Sequence, residues 1–267
     1  MTPTSLTDLI TTPPSDRRTA VFLDHVPFGE RVILHGELPY LDAPATASYY
    51  GQAQGMLNSD ATVIDVGALY DAVLASNADL RTAMGTRSRT GYALRTMLAD
   101  DSAATVTARI LTATSHTSRV PFLLRLPSPL IWLAQAAEAT GNTDFSSITA
   151  DHAESAAMYV ADWLRRFVDA PVVGLILDGR RAGAYAELPP EDIDAYQPVI
   201  NAAEHIGWSV LLQTEGGVEV AGEDVRGATI DPGYWLGTGT VPQADFLVTQ
   251  IPAEAEPETV LERLEAL

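Results

Sequence analysis

VPFLLRLPSP at residues 120–129 and PVVGLILDG at 171–179 decide the fold. Each stays apolar for several residues and then presents a polar group, Arg125 and Ser128 in the first and Asp178 in the second. Short continuous apolar runs of this kind read as strands covered on both faces, the pattern of a parallel sheet. The stretch between them contains DHAESAAMYVADWLRRFVDA, residues 151–170, with Asp151 as helix N-cap and Glu154 three residues on, a capping box. Strand, long helix, strand is the unit of an α/β protein.

The same reading extends outward. RVILHGELPY predicts a strand over Val32–Leu34 ending at His35, and ATVIDVG predicts another ending near Asp65. WSVLLQTEGG at 208–217 and ADFLVTQ at 244–250 complete the clear strands, with weaker candidates at 20–24, 107–113 and 227–231. Further helices are expected at LIWLAQAAEATG, at IDAYQPVINAAEHIG and from Pro257 to the C-terminus. Residues 68–104 read as mainly helical without a strong periodic face. The expected fold is a single-domain (β/α)8 TIM barrel over 17–267, preceded by a loose arm at 1–16. The alternative is an open doubly wound parallel sheet. No G-x-G-x-x-G follows any strand, which weighs against dinucleotide binding.

Composition narrows the chemistry. The chain has no Lys and no Cys, so all 16 basic side chains are Arg. Schiff bases, P-loop phosphate binding and thiolate chemistry are therefore outside its reach. A net charge of −19 argues against nucleic acid and anionic membranes as partners, and means that any anionic ligand must be met by a local Arg cluster. No run approaches a membrane span, and the first sixteen residues lack the form of a secretory signal, so a cytoplasmic location is expected. Self-association is compatible with the chain.

In a parallel barrel the active site lies at the carboxyl ends of the strands. Those ends carry His35 and Glu37, Asp65, Arg125 with Ser128, Asp178 with Arg180 and Arg181, Gln213 with Glu215, and Asp231 with Tyr234 and Trp235. His35 and Glu37, two apart on a strand, would share a face and act as acid and base on one ligand. With His25 or His116 they would also make a metal-site candidate, although neither metal nor cofactor is expected. His152 and His205 read as helix-end residues. Arg125, in an apolar strand, requires either a partner carboxylate such as Asp178 or an anionic ligand held in its fork. For the rest, each polar residue at a strand end can equally cap the next helix or close a turn.

The run RVPFLLRLPSPLIWLAQAAE, followed about forty residues on by VVGLILDG, resembles the superfamily of uroporphyrinogen decarboxylase and the catalytic half of cobalamin-independent methionine synthase. Pro127, Ser128 and Pro129 match its proline-rich strand end, and Asp178 its ligand-facing aspartate. The resemblance implies a (β/α)8 barrel. The family's next strand ends in His-x-Cys-Gly, where this chain has Gln213-Thr214-Glu215-Gly216, so the zinc ligands of the methyl-transferring branch are missing. The decarboxylase branch, which needs no cofactor, uses arginines and an aspartate, which implies roles for Arg125, Arg180, Arg181 and Asp178.

The expected function is metal-independent lyase or decarboxylase chemistry on a small carboxylated molecule, with His35, Glu37 and Asp178 catalytic. Arg125, Ser128, Arg180, Gln213, Glu215, Asp231, Tyr234 and Trp235 would bind the substrate. One alternative is a non-catalytic binding or partner protein that has lost the family's methyl transfer. Another is a divalent-metal lyase or hydrolase built on Asp, His and Glu.

Overall fold

The computed structural model describes residues 5–267. Eight strands form one sheet, and helices cover its outside. In chain order the strands are β1 (Ala20–Asp24), β2 (Thr62–Asp65), β3 (Phe122–Pro127), β4 (Val172–Asp178), β5 (Ser209–Thr214), β6 (Gly217–Val220), β7 (Arg226–Ile230) and β8 (Phe246–Gln250). Their spatial order is β1-β8-β7-β6-β5-β4-β3-β2, which curls the sheet into a nearly closed barrel with β1 and β2 on either side of the seam. All pairings are parallel except those of β6, which is antiparallel to both neighbours. The sheet is therefore mixed rather than all-parallel.

The helices are α1 (Leu6–Thr11), α2 (Val26–Gly29), α3 (Ala43–Leu57), α4 (Val66–Ser76), α5 (Ala78–Met84), α6 (Tyr92–Ala99), α7 (Asp101–Ser115), α8 (Pro129–Glu138), α9 (Asp151–Leu164), α10 (Gln197–His205), α11 (Pro232–Trp235) and α12 (Pro257–Glu265). Several begin on a side-chain cap directly after a strand, which sets the strand end and the helix start together. Asp65 Oδ1 accepts the Ala68 N–H at 2.9 Å to open α4, and Ser128 Oγ accepts the Ile131 N–H at 3.3 Å to open α8.

Side chains alternate between two environments along each strand. Phe22, Val63, Leu123, Ile176, Leu211 and Val248 fill the interior, whereas Leu124, Leu175, Leu177 and Leu212 pack outward under the helices. A third apolar layer, with Leu23, Ile230, Trp235 and Leu247, seats α12 against β1, β7 and β8. Leu6 and Leu9 of α1 are fully buried among Ala20, Ala61 and Leu123, so α1 plugs the end of the barrel where the strands begin. Residues 5–16 are thus not a loose arm, because two leucines gain more by filling the barrel end than by staying in water. Residues 1–4 lie outside the described residues.

Among the described residues no backbone ladder joins β1 to β2; a side chain bridges the seam instead. The fully buried Asp60 accepts the Val21 N–H at 2.9 Å through Oδ2 and the Ser15 N–H at 2.8 Å through Oδ1.

Four further expectations are corrected. Glu30–Leu34 is a π-helix, so Val32–Leu34 is not a strand, and the weak strand at 107–113 lies inside α7. The 208–217 run turns at Glu215-Gly216 and returns as β6. Asp151 is the first residue of α9 rather than its side-chain cap.

Candidate functional site at the barrel mouth

Towards their carboxyl ends the parallel strands replace the apolar filling with polar groups on the inward face: Asp24, Asp65, Arg125, Asp178, Gln213, Thr229 and Gln250. Arg125 is the hub. Its Nη1 donates to Asp24 Oδ2 at 2.5 Å and its Nη2 to Asp178 Oδ2. Gln250 Nε2 donates to the same Asp24 oxygen at 2.6 Å. Arg180 forks onto Asp178 through Nε and Nη2, each at 2.8 Å. Of the two readings of Arg125, the ion pair is what this mouth contains, and it engages two carboxylates.

Burial and charge pull the aspartates apart. Burial lifts the Asp65 carboxyl, Asp24 and Asp178 add to the lift, and Arg125 with the Ala68 N–H offsets only part of it, leaving Asp65 at about 6. Burial works against charge on Asp178 as well, but hydrogen bonds from Arg180 and Arg125 overcome it and hold that group at about 2. The guanidinium of Arg125, although burial opposes its charge, is held above its usual range by Asp24, Asp178 and Asp65. A cavity of about 330 Å³ opens beside this network, lined by Asp65, Asp71, Arg125, Gln135, Arg180 and Tyr185 among others. The mouth therefore offers one aspartate that exchanges its proton in mildly acidic solution, at about 6, and another that stays ionised.

The β1 end adds a buried aromatic wall. His25 Nδ1 lies 2.8 Å from Tyr49 Oη, and a Cβ on Gly29 would come within 2.2 Å of that oxygen, so only glycine admits the tyrosine here. Burial lowers His25 to about 4 despite the opposing charge of Asp24, so the imidazole is neutral at physiological pH. Tyr40 and Tyr50 stand in the field of Asp24 and Asp65, and burial together with those charges raises both phenols.

The structure separates the expected site residues. Asp178, Arg125 and Arg180 converge, and Gln213 joins the inward layer with Nε2 bonded to Thr229 Oγ1 at 3.0 Å. Ser128 stands behind the mouth, its Oγ donating to the Glu191 carboxylate at 2.7 Å. Glu215 is a turn residue that accepts the Arg181 N–H at 2.6 Å.

His35 and Glu37 are exposed on the segment after the π-helix, and the His35 Nδ1–H donates to the Arg31 carbonyl at 2.9 Å. They do not form the expected acid–base pair, because no strand holds them on one face. Asp231 caps α11 through the Gly233 N–H. Tyr234 and Trp235 belong to the outer layer, where Tyr234 donates to the Arg263 carbonyl and Trp235 Nε1 to Thr249 Oγ1, each at 2.8 Å. They face away from the mouth and are not substrate contacts here.

Asp24 and Gln250 were missed as site residues, and Asp65 was recognised only as a strand end. The signal for Asp24 was present in AVFLD, four apolar residues and then a charge, in a strand read as weak.

Among the described residues no group of three or more His, Asp or Glu side chains is placed to hold a metal ion; the cation between Asp24 and Asp178 is Arg125 itself. Nor is any described helix long and apolar enough to cross a membrane. Comparison with protein-family models, curated proteins and solved structures gave no significant match, so the functional reading rests on the chemistry of this mouth.

Proposed function

We propose that the chain is a divergent (β/α)8 enzyme, related to the uroporphyrinogen decarboxylase and methionine synthase superfamily, that performs metal-independent lyase or decarboxylase chemistry on a small carboxylated molecule. The observation that carries the reading is the divergence of two neighbouring aspartates, Asp65 lifted to about 6 and Asp178 lowered to about 2. Carboxyl groups driven apart by their surroundings divide the labour of acid and charge stabiliser. Asp65 replaces His35 and Glu37 as the proton-handling group.

In this scheme the substrate carboxylate meets Arg180, which lines the cavity and has a third of its side chain exposed. As the bond to the departing carboxylate breaks, the electron pair passes into the substrate's own unsaturated system. Asp65 then delivers its proton to the carbon and is reprotonated from water. Asp178, ionised throughout, offsets positive charge that develops on the substrate. The antiparallel β6 stands where a strict repeat would place another parallel strand.

Incubating the protein with a panel of small mono- and dicarboxylic acids and following each by proton NMR tests the reading. One acid should be consumed, and Asp65→Asn should slow its turnover by roughly 100-fold or more, the scale of a lost general acid. An untouched panel, or full activity in Asp65→Asn, rules the assignment out. A second reading, binding without turnover, is favoured by the occupation of both Arg125 terminal nitrogens by protein carboxylates. Saturable binding of an acid that is never consumed would select it.

A further inference from the structure

Away from the mouth, the chain's surplus of acid reverses locally. Residues 80–99 carry four arginines, Arg81, Arg87, Arg89 and Arg95, and no Asp or Glu, in a chain of net charge −19. The middle of this segment, from Gly85 to Leu94, forms one wall of a cavity of about 250 Å³ whose other wall comes from the second half of α8 and the 140–148 segment. This cavity shares no lining residue with the one beside Asp65. Arg87 and Arg89 both line it, and among the described residues neither is in an ion pair. Arg87 instead lies over the Tyr92 ring, 5.2 Å from its centroid, which holds the guanidinium without neutralising it.

We infer that this arginine-lined cavity is a second binding site, one that takes the phosphate group of a small phosphorylated molecule. Two guanidinia without carboxylate partners supply charge-assisted donors, and the Ser88 and Thr90 hydroxyls stand on the same wall. The start of α6 adds to this. Its preceding residue, Gly91, has no side chain to cap it, and the Ala93 and Leu94 amides have no acceptor among the described residues. The one carboxylate on the wall, Asp144, accepts the Ser146 N–H at 3.0 Å and opposes an anion. The ligand is small because the rest of the acidic surface repels extended polyanions.

The test uses the intact, isotope-labelled protein at constant ionic strength, titrated with inorganic phosphate, glycerol 3-phosphate, chloride and a phosphoserine peptide. Saturable shifts of the Gly91, Ala93 and Leu94 amide resonances are expected with both small phosphates and not with chloride. Arg87→Gln combined with Arg89→Gln should weaken phosphate binding at least tenfold while leaving the melting temperature unchanged. Absence of saturable shifts, equal shifts with chloride, or undiminished binding in the double variant overturns the site. Tighter binding of the peptide than of glycerol 3-phosphate overturns the small-molecule assignment.

Discussion

Asp65 and Arg125 are register partners across the β2–β3 ladder, yet the Arg125 guanidinium bonds to Asp24 and Asp178, and Asp65 is left with its cap to the Ala68 N–H. This arrangement raises the proton affinity of Asp65. A carboxyl lifted from an ordinary 3.8 to about 6 in the folded chain holds its proton while the unfolded chain has already released it. Stability should therefore fall as pH rises from about 4 to about 6, and level off above that range. Asp65→Asn preserves the cap and removes the ionisation. It should raise stability at pH 8 by about 1–2 kcal/mol, after allowance for the part of the carboxyl open to the cavity, and should remove the slope. Urea denaturation of both proteins across this pH range checks the sign.

Arg125 balances carboxylates on either side of it, so its removal should be severe. Arg125→Met leaves the buried Asp24 without a cation and Asp178 with Arg180 alone, and should cost about 3–5 kcal/mol. Arg125→Lys should recover only part of this, because a single ammonium cannot reach both carboxylates in the geometry of the fork. Equilibrium denaturation at pH 7 measures both.

At the seam, one side chain stands in for a ladder. Asp60→Ala strands the buried Val21 amide and removes the acceptor of the half-buried Ser15 amide, and should cost about 1–3 kcal/mol, chiefly for the unsatisfied Val21 group. Leu9→Ala, which empties part of the α1 plug, should cost about 2–4 kcal/mol. A change below 1 kcal/mol in either variant would mean that the barrel end tolerates opening.

His35 and Glu37 lie exposed outside the Arg125 network. His35→Ala and Glu37→Ala should each change stability by less than about 0.5 kcal/mol and leave turnover intact. A hundredfold loss of activity in either would return the acid–base role to them.

The parts legible in the sequence are those where an apolar run has a single reading. VPFLLRLPSP and PVVGLILDG became β3 and β4, and their polar residues Arg125 and Asp178 meet, which is one of the two readings the sequence left open for Arg125. Val32-Ile33-Leu34 misled because three apolar residues fit a strand or a helical turn equally well, and only packing against the rest of the chain selects the π-helix. β6 was hidden because GVEV is too short to stand apart from the strand before it. Tyr234 and Trp235 follow a strand end yet turn outward, a direction set by α11 and the layer under α12 rather than by their spacing. Asp65 was visible as a position but not as an acid, since its proton affinity depends on which carboxylates Arg125 selects in three dimensions.

The central claim is that Asp65 carries a proton that the mouth can donate, and its own titration is the most direct test. Carbon-13 NMR of the Asp65 side-chain carboxyl, assigned by its loss in Asp65→Asn, should show a midpoint at about 6, well separated from that of Asp178 at about 2. A midpoint at or below the ordinary 3.8 would contradict the account, because Asp65 would then hold its proton no more tightly than an ordinary carboxylate and would be too rarely protonated to serve as the acid.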